Sequence, residues 1–188
     1  MNGIFNAAIC DTLAEQQLTC SLEPGLRPCG GKGFSDFQDY PVTITLQLVE
    51  RVLAGSWKSQ EEAFEGLGRA FIRRLLADAI YGPIMRALGT DFPGVLSNLD
   101  RTLDLIKRSY PSLQKPTFEL LSVSPGKATL LYAPARPNDA FDSTGFTTGF
   151  LSGLASMVQV VATIEAHPVE SNPELPGQVH YQISWRVG

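Results

Sequence analysis

The chain has 188 residues, 44% of them hydrophobic and 18% charged, with a formal charge of −4 at pH 7 and a pI near 5.2. A folded chain of this length hides about 70% of the surface its unfolded form exposes, so a true core is within reach and disorder over most of the length is excluded. The acidic balance excludes non-specific nucleic-acid binding, which needs a basic footprint.

Residues 4–18 set Ile4, Phe5, Ala8, Ile9 and Leu13 at helical spacing. This opening has no basic segment and meets Asp11 too early for a secretory leader. Cys10, Cys20 and Cys29 contain no CxxC pair, so reduced thiols in a cytoplasmic protein are expected. From Glu23 to Tyr40, Gly and Pro cluster and predict a loop. Within it, Gly30-Gly31-Lys32-Gly33 lacks the GxxxxGK[ST] spacing of a phosphate loop and follows no predicted strand. A helix is expected from about Pro41 to Leu53, because proline suits a first helical turn.

Ser59 with Glu62 forms a capping-box pattern and predicts a helix to about Ala79, with Ala63, Phe64, Leu67, Phe71 and Leu75 on its apolar face. Arg69, Arg73 and Arg74 lie on the same helix, as an exposed polar face or, alternatively, a partner surface. A short helix is predicted over Pro83 to Leu88. The next runs from Phe92 or Pro93 to Arg108, with Val95, Leu96, Leu99, Leu103 and Ile106 inward and Asp100, Arg101, Asp104 and Lys107 outward.

Beyond Pro111 and Pro116 the period changes. Phe118 to Val123 and Ala128 to Tyr132 flank Ser124-Pro125-Gly126 and predict a hairpin. A helix over 142–157 carries Gly145, Gly149 and Gly153 on one face, and strands follow at 159–165 and 178–186. Ser143 to Ile164 is free of charge but too rich in Ser, Thr and Gln to span a membrane. The order is α+β: one domain over 1–188, with a helical part (1–110) before a sheet-plus-helix part (111–188). His167 and His180 have no Cys, Asp or Glu at metal spacing and are expected to be structural or surface residues. No GxSxG elbow is present, and nothing in the residue inventory specifies an enzyme.

The ordered segments MNGIFNAAI, YPVTITLQLVERV, EEAFEGLGRAFIRRL, FPGVLSNLDRTLDLIKRSYPSLQKPTFE, LLYAPAR and GFLSGLASM resemble the H-NOX family, the haem-nitric oxide/oxygen-binding sensor domains of bacteria and of soluble guanylate cyclase. The resemblance covers nearly the whole chain. It implies a helical half and an antiparallel sheet with one helix, clasping a haem whose iron is held by a helical histidine and whose propionates meet a Tyr-x-Ser-x-Arg motif.

Carried over by residue, Asn98-Leu99-Asp100 matches the segment before the family's ligand, whose own place falls on Leu103. Leucine cannot bind iron. Tyr132 and Arg136 keep the propionate spacing, with Pro134 in place of the serine. Pro116 falls where the family packs a proline against the haem, and Phe5 and Ile9 fall on the helix over its distal side.

The expectation is a sensory domain without histidine-ligated haem, with another apolar carboxylate-bearing ligand in the pocket position: a linear tetrapyrrole, a fatty acid or an unligated porphyrin. No metal site and no assigned cofactor follow, with haem or another tetrapyrrole left open. The alternatives are a haem-based NO/O2 sensor with an unusual axial ligand, or a ligand-free protein–protein adaptor. The resemblance further implies a signalling partner, a histidine kinase or a cyclic-nucleotide enzyme.

Overall fold

The computed structural model describes residues 3–18, 33–35, 38–55, 57–109, 115–135, 144–169 and 177–187. These form, in order, α1 (Gly3–Glu15), α2 (Val42–Leu53), α3 (Gln60–Ala77), α4 (Tyr81–Arg86), α5 (Phe92–Ser109), β1 (Thr117–Ser124), β2 (Lys127–Ala133), α6 (Thr144–Met157), β3 (Val160–Pro168) and β4 (Val179–Val187). The architecture is α+β, a helical half followed by one antiparallel sheet with a packed helix. The loop Gly30-Gly31-Lys32 lies outside the described residues. No helix among the described residues is long and apolar enough to cross a membrane.

Local chemistry explains most boundaries. Ser59 Oγ accepts from Glu62 N–H at 3.1 Å, while the Glu62 carboxylate accepts from Lys58 N–H at 2.7 Å, one residue earlier than a standard capping box. Pro41 is the N-cap of α2 with an extended ψ of 137°, so the helix starts one residue later than expected. Asp78 Oδ1 accepts from the N–H groups of Ile80 and Tyr81, both at 2.8 Å, and so opens α4 two residues earlier than the proline suggested.

The sheet order is β1-β2-β4-β3, with every neighbouring pair antiparallel. Gly126, at φ +74°, supplies the left-handed turn of the β1–β2 hairpin. The inner face carries Phe118, Leu130, Tyr132, Tyr181 and Ile183, all buried. They join buried residues of α3, α4, α5 and α6 in one apolar cluster that draws on both halves of the chain. A second cluster lies among α1, α2 and α3, around Ile9, Leu13, Leu48 and Leu67.

Among the described residues the tightest seam is α3 against α6. The three glycines of α6 face α3, and a Cβ on Gly153 would sit 2.8 Å from the Ile72 Cβ. One on Gly149 would run into the Glu65 backbone, and one on Gly68 of α3 into the backbone of Phe146. The spacing of four lets two backbones touch, as the sequence predicted.

The arginines of α3 form the expected exposed polar face, and the cysteine expectation changes. Arg73 pairs with Glu15 at 2.7 Å and Arg74 with Asp11 at 3.9 Å, while Arg69 pairs with Glu65 on its own helix at 3.2 Å. The arginine face is thus answered by carboxylates, two of them on α1. Cys10 is disulfide-bonded, against the expected reduced thiol, and its partner lies outside the described residues.

Candidate functional site

Phe5 and Ile9 are buried on α1 within the helical cluster. The Phe5 ring lies 5.6 Å from Phe71 and 5.6 Å from Phe146, which are 6.0 Å from each other. Phe71 and Phe146 pack against both clusters, so this triangle of rings is where the two cores meet. Leu103, on α5, is half-buried against the larger cluster, not fully inward as its spacing suggested. Tyr132 is 2% exposed on the inner face of β2, its ring 5.2 Å from Phe118 and 6.1 Å from Tyr181. Pro116 is half-buried at the entry to β1. The sites therefore divide: Leu103 and Tyr132 belong to one cluster, Phe5 and Ile9 to the other. Arg136 lies outside the described residues.

Polar bonds on either side hold α5. Asp91 Oδ1 accepts from Gly94 N–H at 2.7 Å, and Asn98 Nδ2 donates to the carbonyls of Leu88 at 2.9 Å and Gly94 at 3.0 Å. On the sheet side, Lys115 Nζ donates to Asp100 Oδ1 and Asp104 Oδ1, each at 2.9 Å. Asp100 Oδ1 also accepts from Phe118 N–H at 3.1 Å, which ties the helix to the first residues of β1. The Asn98-Leu99-Asp100 run thus has structural work on this chain alone: Asn98 holds the α4–α5 turn, Leu99 enters the core and Asp100 holds the strand.

The electrostatics follow from these contacts. The hydrogen bond from Lys115, with the nearby positive charges, keeps the Asp104 carboxyl below the ordinary carboxylate range. Burial pushes the Lys115 ammonium pKa down, but the two carboxylates outweigh it and leave the group above its usual value. Tyr181 is fully buried, and desolvation pushes its hydroxyl pKa far up. At the other core, Thr45 Oγ1 donates to Asn6 Oδ1 at 2.7 Å across α1 and α2, and Asn6 Nδ2 finds no partner among the described residues.

These donors limit the chemistry. Residues 92–109 of α5 contain no His, Cys, Met or Tyr, so α5 does not fit an axially ligated haem iron. The two histidines of the chain stand on the solvent face of the sheet: His180 alternates with buried Val179 and Tyr181, and His167 alternates with Ala166, which packs on the core. The Lys115 clasp, the ring triangle and the position of His167 on β3 directly opposite His180 on β4 were not read from the sequence. Phe71 had shown itself only as part of a helical stripe.

Residues 7–165 match the family model described as Haem-NO-binding. Soluble guanylate cyclase 89Da of Drosophila melanogaster is 22% identical over 151 residues, which are 79% of this chain. The chain spans only 21% of that relative's length. Among solved structures, the Fe(II) unliganded H-NOX protein of K. algicida superposes with a TM-score of 0.72 at 16% identity, covering 100% of this chain and 98% of that one. An H-NOX protein of S. oneidensis in the Fe(II)NO ligation state gives 0.71 at 13% identity, covering 99% of both chains. At these identities the likeness establishes the fold. With the helical half, the four-stranded sheet and the matched span together, this chain belongs to the haem-NO-binding family as an H-NOX domain, a sensor domain and not an enzyme.

Proposed function

We propose that this H-NOX domain senses without histidine-ligated haem, and that an apolar carboxylate-bearing ligand takes the place where the family holds its porphyrin. One observation supports the reading: α5 carries no iron-binding side chain, with Leu103 where the resemblance puts the family's iron ligand, while both histidines point away from the core. The apolar faces of Phe5, Ile9, Leu103 and Pro116 suit the body of such a ligand. Tyr132, with Arg136 carried over from the family motif, suits its carboxylate, because hydroxyl and guanidinium donors make charge-assisted bonds to that group. Output passes to a signalling partner, a histidine kinase or a cyclic-nucleotide enzyme, and the guanylate cyclase relative supports the second.

Absorbance of the purified chain, as isolated and after incubation with haemin, tests this. The wild-type chain is expected to show no sharp Soret band, and Leu103→His to gain one that shifts on reduction and NO addition. A sharp, NO-responsive Soret band in the wild type overturns the proposal in favour of a haem sensor with another axial ligand. A fluorescent fatty acid serves as the probe for the ligand: Tyr132→Phe is expected to weaken its binding about tenfold, the worth of one hydrogen bond to a charged group. Absence of binding by the wild-type chain leaves the adaptor reading.

A further inference from the structure

The chain has two histidines, and the sheet sets them side by side. His167 of β3 is directly opposite His180 of β4, in a row that continues through Leu131 of β2 to Glu119 of β1. Just beyond the pair, Val169 N–H donates to Gln178 O at 3.0 Å. Bonded and non-bonded pairs alternate along an antiparallel ladder, so His167 and His180 also exchange backbone bonds, with Cα atoms about 5.5 Å apart. Pro168, which has no N–H to give, falls between them at the non-bonded pair with Val179.

Both imidazoles therefore rise from a fixed backbone on the same face, with Cβ atoms about 5 Å apart. A transition-metal ion held at about 2.0–2.1 Å from two imidazole nitrogens needs them roughly 3 Å apart, which side-chain rotation alone reaches from that spacing. Glu165 adds negative charge beside the pair, its Oε2 3.8 Å from His167 Nε2. The His167 side chain is 51% exposed, so solvent reaches the pair. Among the described residues no group of three or more His, Cys, Asp or Glu encloses a metal position, so the two imidazoles are the donors on which the site rests.

We propose that His167 and His180 together form a two-imidazole site for a divalent transition-metal ion, on the sheet face turned away from the core. Copper(II) binds it most tightly, because nitrogen-donor sites follow the Irving–Williams order and an open site imposes no geometry against it.

The test is a copper(II) chloride titration of the full chain in a non-coordinating buffer, following the two histidine ring signals by NMR. Both signals are expected to broaden together and saturate at one equivalent. His167→Ala and His180→Ala should each lower the affinity by about 100-fold, because losing either imidazole removes the effective-concentration advantage of two linked donors. The double variant should add little further loss. Broadening of the two signals at clearly different copper concentrations, or wild-type affinity in His167→Ala, overturns the proposal. His167 is half exposed, so its replacement leaves the core untouched and that variant alone suffices.

Discussion

The two long helices that meet the rest of the core, α6 and α5, are held in opposite ways. α6 lies against the backbone of α3 at Gly145 and Gly149 and against the Ile72 side chain at Gly153, a close fit that the missing side chains of the three glycines allow. α5 buries Phe92, Val95, Leu96, Leu99 and Ile106 in the larger cluster and is pinned at its edges by polar groups: Asn98 at one side, and Asp100 and Asp104 on Lys115 at the other. A steric fit of the first kind has no alternative arrangement close in energy, because interiors are packed nearly as densely as crystals. Bonds of the second kind exchange with water at small net cost. The difference makes the α3–α6 seam a matter of steric fit, while the polar pins of α5 are groups that a single substitution can release.

The strongest way to break this contrast is Gly149→Val. Its side chain would run into the Glu65 backbone, which has no rotamer to yield, and a loss of about 3 kcal/mol or more is expected in denaturant unfolding. A loss under about 1 kcal/mol would mean the seam is softer than its geometry. Lys115→Met should cost less, about 1.5 kcal/mol, since the lysine side chain is only 12% exposed but its two aspartates reach water. It should also raise amide hydrogen exchange in α5 more than in α6. Equal rises in both helices would remove the distinction.

The same clasp has a pH signature. Asp104 titrates lower in the folded chain than its usual 3.8, so its contribution is present above that value and disappears as pH falls through the depressed pKa. Lys115 titrates above its usual 10.5, so its contribution is complete below that value and disappears as pH rises through the raised pKa. The stability difference between wild type and Lys115→Met should therefore be flat between about pH 4 and 10 and shrink outside that window. The smallest effect belongs to Ser59→Ala, which removes the cap of α3 and should cost about 1 kcal/mol with the α3–α6 seam intact.

What the sequence disclosed follows the range of the interactions. Periodicity located the helices, Ser59 placed a helix start, and the glycine spacing in α6 announced a close approach, because each signal is written within a few neighbouring residues. The Lys115–Asp100 pair joins positions 15 apart, and Arg73 reaches Glu15 across 58. No local pattern encodes such partners, so the arginines looked like an open face and the α5 clasp was invisible. The histidine pair escaped for the same reason: spacing along one strand says nothing of who stands opposite until the register is known. The candidate ligand residues rested on ordered segments similar to a family, not on any chemical motif of their own. Accordingly the structure sorts them between two cores: Phe5 and Ile9 on one side, Leu103 and Tyr132 on the other.

The ladder of β1 shifts register between Leu120 and Ser122, leaving Leu121 exposed in the step, with Val123 exposed beyond it. β1 is an edge strand carrying apolar side chains toward solvent, the kind of border along which a second copy adds itself. One extra residue interrupts the even row of N–H and C=O groups that such addition requires and twists the border out of plane. The irregularity acts as a safeguard against self-templating growth, and it leaves the inner side of the strand free to carry Phe118 into the core.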